Sequence, residues 1–300
     1  MGRIFNINGA CQPTKHYMVD LELRLKTIKL MIDAGEYFTI NRTRQYGKTT
    51  ILRALAKFLK NDYEVVSLDF QRISSLSFES EQVFVAAFSE ELLSGVKNFP
   101  DKIKEKLTSF VERRARINSL QALFKVLNLW CEKSEKPIVF MIDEVDTATN
   151  NQIFLDFLAQ LQAGYLDRDE TSVFQSVILA GVYDIRNIRK KIRQDKEHRQ
   201  NSPWNIAADF DVDMSFSAED ISGMLSQYEE DYHTGMNIEK ISELIYEYTS
   251  GYSFLVSRLC KSMDEKLAGT GSFKKNTVWT RAGVLEAVKR LLYERNSNWG

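Results

Sequence analysis

Short apolar runs alternate with amphipathic stretches up to about residue 216, and after that only the helical period remains. YFTIN (37–41) predicts a first strand, and the loop RTRQYGK follows it. TTILRALAKFLK (49–60) then places Ile51, Leu52, Leu55, Phe58 and Leu59 on one face of a helix. EVVSLDF (64–70) predicts a second strand. Residues 79–134 read as helical, with Phe84, Phe88, Leu92, Leu120, Leu123, Leu127 and Trp130 at helical spacing and a break at Pro100-Asp101. PIVFMIDEV (137–145) is a continuous apolar run closed by carboxylates, the pattern of a central strand buried on both faces. A helix is expected over 152–166, a strand over 172–182 and a last strand over FDVDMSF (210–216).

Strands that alternate with helices imply an α/β core with a mainly parallel sheet wrapped by helices. Beyond it, Ser217 and Asp220 have the spacing of a capping box, and helices are predicted over 218–231, 237–249, 253–267 and 281–294, with Gly251 as a stop signal. The expected division is therefore 1–216 for the α/β domain and 217–300 for a helical one.

The strongest chemical signal is Gly47-Lys48-Thr49-Thr50 between a predicted strand and a predicted helix. A bound triphosphate needs backbone N–H groups at a helix start, a lysine for its charge and a hydroxyl for Mg²⁺. Gly47 allows close approach, Lys48 would reach the phosphates, and Thr49 would ligate the metal. The full pattern asks for glycine at position 42, where this chain has Arg42. The second signal is Asp143-Glu144-Val145-Asp146 at the end of the apolar run. Carboxylates there arrive at the carboxyl edge of a parallel sheet, where ligands bind. Asp143 can serve Mg²⁺, and Glu144 can polarise an attacking water. The plain alternative is that both acids only end a strand.

HYMVD (16–20), YFTINRTRQYGKTT (37–50) and IVFMIDEVD (138–146) together resemble the AAA-type ATPases of bacteria. Their phosphate loop commonly lacks the first glycine, and Arg42-Thr43-Arg44-Gln45-Tyr46-Gly47-Lys48-Thr49 follows that variant. ILAGVYDI (178–185) and NSPWNIAADFDVDMSF (201–216) continue the likeness, and GYSFLVSRL (251–259) resembles a Gly-x-Pro lid signature with Ser253 in place of proline. The resemblance implies a P-loop three-layer core followed by a helical lid, ATP and Mg²⁺ as ligands, and ATP hydrolysis. It also makes His16, Tyr17 and Met18 candidate adenine contacts, with plain packing of an aromatic lead-in as the alternative. Many relatives carry a nuclease-like domain after the lid, and this chain is expected to end without one.

Asp184 and Arg186 are candidate sensors of the γ-phosphate, and Arg258 is a candidate lid arginine. Each has an ordinary alternative, a solvated loop residue or a surface salt bridge. Arg186, Arg189, Lys190, Lys191, Arg193, Lys196 and Arg199 form the one local basic cluster, and His198 and His233 read as surface residues. The cluster could meet nucleic acid or a neighbouring subunit, or be a solvated helix face.

Lys and Arg number 40 against 41 Asp and Glu, so no global field points to nucleic acid or an anionic membrane. Cys11, Cys131 and Cys260 are scattered without metal spacing. No apolar run reaches the length of a signal peptide or a membrane span, so a cytoplasmic location is expected. Partners beyond the nucleotide would be another copy of the chain or another protein. Three functions stay open: an ATPase, a switch that binds ATP and scarcely turns it over, and a nucleic-acid-associated ATPase.

Overall fold

The computed structural model describes residues 2–112, 118–149, 151–182 and 204–296. The chain forms two compact units: Met1–Leu25, Arg44–Ala54 and Asp213–Gly300 make one, and Lys26–Thr43 with Leu55–Val212 the other. The sequence pattern suggested a single cut at 217. The N-terminal segment instead belongs with the C-terminal helices, because Phe5, Tyr17 and Val19 are buried in their core.

The second unit holds a four-stranded sheet in the order β1 (Phe38–Asn41), β4 (Ser176–Gly181), β3 (Ile138–Asp143), β2 (Glu64–Asp69). All three pairings are parallel. Every residue of β3 and β4 is buried, as the apolar runs require. Phe140, Ile142, Val177 and Leu179 share one face and pack into a cluster with Phe88, Leu123 and Phe157. These last three come from α3 (Glu81–Gly95), α5 (Leu120–Lys133) and α6 (Gln152–Leu166). Val139, Met141, Ile178 and Ala180, of the opposite parity, are also fully buried. The predicted helical region is thus three helices, with α4 (Asp101–Val111) starting after Pro100.

Two elements depart from the sequence pattern. The helix α1 (Glu22–Asp33) was not among those predicted. Its buried Leu25, Ile28 and Ile32 are interleaved with exposed Leu23 and Leu30, which blurs the apolar face. Among the described residues, 210–216 is not a strand. Pairing stops at one parallel bridge between Ala208 and Phe38. Beyond it, side chains take the carbonyls that a ladder would use. The Arg42 guanidinium donates to the Val212 carbonyl at 3.2 Å, and that of Arg24 to the Asp213 and Ser215 carbonyls at 2.9 and 2.7 Å. The alternation read as a strand is real as burial, since Val212 and Met214 are inside and Asp211 and Asp213 outside.

The first unit is helical. Its helices are α7 (Ala218–Tyr232), α8 (Ile238–Thr249), α9 (Ser253–Lys261) and α10 (Arg281–Asn296), and the π-helical turn Ser262–Leu267 continues α9. α7 opens with the predicted capping box between Ser217 and Asp220. Tyr17, Tyr228 and Trp279 pack around Phe5, with ring centroids 4.8 to 5.9 Å from it. No helix among the described residues is long and apolar enough to cross a membrane.

α8 stops as the sequence suggested. Ser250 and Gly251 both take left-handed φ, 48° and 71°. A Cβ on Gly251 would lie 2.0 Å from the Phe216 carbonyl oxygen. The Gly251 carbonyl in turn accepts the Phe216 N–H at 2.8 Å. Gly251→Ala should therefore cost at least about 2 kcal/mol of stability, from positive φ and backbone overlap together. A urea-unfolding midpoint equal to the parent's would refute this.

Candidate functional site

β1 ends at Asn41, and α2 (Lys48–Leu59) begins after six intervening residues. The Arg42 N–H donates to the carbonyl of Gly181 at 3.2 Å, so the loop leaves β1 at the carboxyl end of the parallel sheet. Farther along, Gln45 and Gly47 adopt left-handed φ of 64° and 79°. For Gly47 that is free of cost. For Gln45, which carries a Cβ, it is not. α2 starts on Lys48, which is 5% exposed, and the Ile51 N–H closes onto the Gly47 carbonyl at 2.9 Å.

Four contacts from the same helical unit hold this loop. The Tyr252 hydroxyl donates to the Arg44 carbonyl at 2.8 Å, and the Ser253 hydroxyl donates to the Gln45 carbonyl at 3.2 Å. The rings of Tyr46 and Tyr252 stack at 4.7 Å, 29° from parallel. The Thr50 hydroxyl oxygen accepts the Cys11 N–H at 3.0 Å, which engages the second threonine of the motif in structure.

In the sheet unit, Asp143 is the last residue of β3, in register with Asp69, and is 7% exposed. It accepts the Glu144 N–H at 2.9 Å. Glu144 has φ 55°, a turn that ends the strand within one residue and opens the short helix Val145–Thr147. Asp146, to which sequence reasoning gave no role, accepts the Val182 N–H at 2.5 Å. The approach needs Gly181, where a Cβ would meet Asp146 Oδ1 and Val145 Cγ2 at 3.0 Å. Asp146 thereby ties the acidic turn to the end of β4.

The remaining candidates are scattered. Tyr17 is buried in the helical core, its hydroxyl on Asp231 at 2.8 Å, and burial with that bond pushes the phenol up. His16 is half-buried, which lowers its pKa, and its Nδ1 accepts the Gln12 N–H at 2.9 Å. The backbone of Met18 bonds the Gln227 amide. Thr43 and Arg44 are exposed. The Arg42 guanidinium, besides its bond to Val212, lies 5.9 Å from the Phe210 ring. Arg258 donates to Glu294 on α10 at 2.9 Å, and His233 is the exposed C-cap of α7. Asp184, Arg186, His198 and the basic cluster to Arg199 lie outside the described residues.

The profile of a family described as an AAA-like domain matches residues 10–266. No curated protein sequence matches. Among solved structures the chain is similar to the Aeropyrum pernix ORC2 protein in its ADPNP–ADP complexes. That likeness has 14% identity and a TM-score of 0.50, and covers 95% of this chain and 70% of that one. It is also similar to the Aeropyrum pernix ORC1 protein in complex with DNA (12% identity, TM-score 0.45, 91% of this chain and 66% of that one). A third likeness is to the Thermotoga maritima RuvB Holliday junction branch migration motor (14% identity, TM-score 0.46, 91% and 70%). The chain spans about two thirds of the length of these proteins. The ORC2 likeness shows the α/β fold with a helical C-terminal region and no more.

The Arg258 bond has a consequence for acid stability. Lys266 and Arg258 both donate to Glu294, at 2.7 and 2.9 Å, and hold its carboxyl at about 2, down from 4.5. A carboxylate depressed in the folded state adds stability that is fully present above pH 4.5 and is lost as pH falls toward about 2. Glu294→Gln should flatten the dependence of the urea midpoint on pH in that window. Parallel curves for parent and variant would show that the cations do not hold this carboxylate.

Proposed function

Because the chain belongs to the AAA-like domain family, we propose that it binds ATP with Mg²⁺ and hydrolyses it. The observation that carries the reading is the entry into α2. Gly47 turns left-handed at φ 79° and Lys48 opens the helix, so the loop delivers backbone donors and a cation to one helix N-terminus. The donor set suits the ligands: an ammonium for phosphate, and the Thr49 hydroxyl and Asp143 carboxylate as hard oxygens for Mg²⁺. Bound Mg²⁺ would neutralise charge on the phosphates.

In this reading Lys48 pairs with the β- and γ-phosphates, and Thr49 and Asp143 serve the metal. Glu144 orients the attacking water and draws on its proton. Its backbone is fixed by the bond to Asp143 and by the Thr147 hydroxyl, which donates to the Glu144 carbonyl at 3.0 Å. A fixed backbone is what a water-orienting carboxylate requires. The loop residues Arg42 to Thr50 would line the phosphates, and His16 and Tyr17 would belong to the segment near the base. Helices from 218 onward would act as a lid whose movement, or the assembly of copies, is coupled to the nucleotide.

One observation favours the switch reading: Arg258, the candidate lid arginine, is held by Glu294. A nucleic-acid-associated ATPase rests on the basic residues of the 186–199 segment. DNA-stimulated turnover would be its mark.

Three variants test the assignment. Lys48→Ala should abolish measurable ATP binding in calorimetry while circular dichroism stays parental, because a charge-assisted contact is lost. Binding equal to the parent's would refute the phosphate-loop assignment. Glu144→Gln should keep ATP affinity and lower phosphate release by about two orders of magnitude or more. Asp143→Ala should also weaken Mg²⁺-dependent binding. A parent that binds ATP but releases no phosphate would establish the switch instead, and unaltered turnover in Glu144→Gln would leave that residue no catalytic part.

A further inference from the structure

We propose that Tyr252 and Ser253, at the start of α9, are positioning residues that hold the phosphate loop, left-handed at the non-glycine Gln45, in its nucleotide-binding shape. The inference rests on the reading of residues 42–49 as the phosphate loop.

The argument starts from peptide geometry. A trans peptide is planar, and its C=O and N–H point in opposite directions. The Tyr252 hydroxyl holds the Arg44 carbonyl, so the N–H of Gln45 points away from α9. The Ser253 hydroxyl holds the Gln45 carbonyl, so the N–H of Tyr46 points away as well. Two hydroxyls therefore orient two successive backbone donors toward the side opposite the clamp, and such donors are what a phosphate requires. The stacked rings of Tyr46 and Tyr252 fix the side chain between the two held peptides and Gly47. Gln45 is the residue that most needs holding, since it is left-handed and carries a Cβ.

The clamp is itself anchored. Tyr252 and Ser253 follow Gly251, whose backbone is pinned to Phe216 and whose Cα has no room for a side chain. The Tyr252 N–H closes onto the Thr249 carbonyl at 3.0 Å. Ser253 is 8% exposed and is the first residue of α9. It occupies the position where the Gly-x-Pro signature has proline, a residue that could not make the bond to Gln45. Partial burial raises the Tyr252 phenol, so it stays a protonated donor at neutral pH.

The position makes a clean test, because the first helical residue tolerates proline and Tyr252 already has φ −62° and ψ 108°, suited to precede one. Ser253→Pro, Ser253→Ala, Tyr252→Phe and the double variant Tyr252→Phe/Ser253→Ala would be compared with the parent as full chains. Amide hydrogen exchange at Gln45 and Tyr46 at saturating MgATP, MgATP affinity by calorimetry and the thermal midpoint would be measured. Each lost hydroxyl should speed exchange at those amides and weaken ATP binding about fivefold, as expected for one hydrogen bond, with the midpoint little changed. Tyr252→Phe keeps the ring stack, so a fold defect cannot mimic the result. A double variant that exchanges and binds like the parent overturns the clamp alone. A parent that binds no ATP overturns the phosphate-loop reading beneath it.

Discussion

The constraint on which the rest depends is the complete burial of β3. Six consecutive residues without an exposed side chain can be satisfied only by strands on both edges and apolar cover on both faces. Here the burial is met by parallel pairing to β2 and β4, and with that comes the need for crossover connections. It also fixes where charge can appear. Asp143 is the first ionisable residue after Ile138, and the left-handed turn at Glu144 ends the strand at the point where a further apolar residue would have continued it. The position of the acidic pair is therefore a result of core packing, and its chemistry is added at an edge that the core defines.

On the proposed reading, the loop after β1 is a phosphate loop and answers to a different constraint. A phosphate loop must keep several N–H groups aimed in one direction against their tendency to pair internally. Where glycines are plentiful, the chain reaches such shapes at little cost. Here one glycine, Gly47, is followed by the helix, and Gln45 takes the other left-handed position. The compensation comes from residues more than two hundred positions later, through carbonyls rather than side chains. Backbone carbonyls suit this purpose because holding them leaves the opposed N–H groups available.

Much of this was legible in the sequence. The apolar runs gave three of the four strands within two residues at each end and the fourth within four, the capping box gave the start of α7, and the Gly-Lys-Thr and Asp-Glu motifs marked one loop and one strand end. What escaped did so for identifiable reasons. α1 was hidden because Leu23 and Leu30 are exposed beside buried Ile28 and Ile32. The Tyr252 and Ser253 contacts could not be read because they join backbone atoms far apart in the chain, and only the departure from proline at 253 hinted at them. Asp146 looked like part of an acidic run, yet its partner is a backbone N–H across the sheet at Val182.

The segment after Ala208 shows how periodicity can report burial correctly and pairing wrongly. β1 is an edge strand among the described residues, and an exposed edge invites association. The chain covers it with an extended segment that pairs once, at Ala208, and stacks Phe210 on Phe38 at 5.7 Å. Arginine then replaces the ladder: Arg42 occupies the carbonyl of Val212. A guanidinium suits this because it has several donors and no acceptor, so it satisfies carbonyls and offers nothing for a further strand to pair with. This also bears on Arg42 as a phosphate ligand. Its fork is spent on the carbonyls of Asn41 and Val212, at 2.8 and 3.2 Å, so turning toward an anion would uncover the sheet edge. Arg44, exposed on the same loop, carries no such obligation, and of the two it is the arginine whose charge can answer a nucleotide without disturbing the fold.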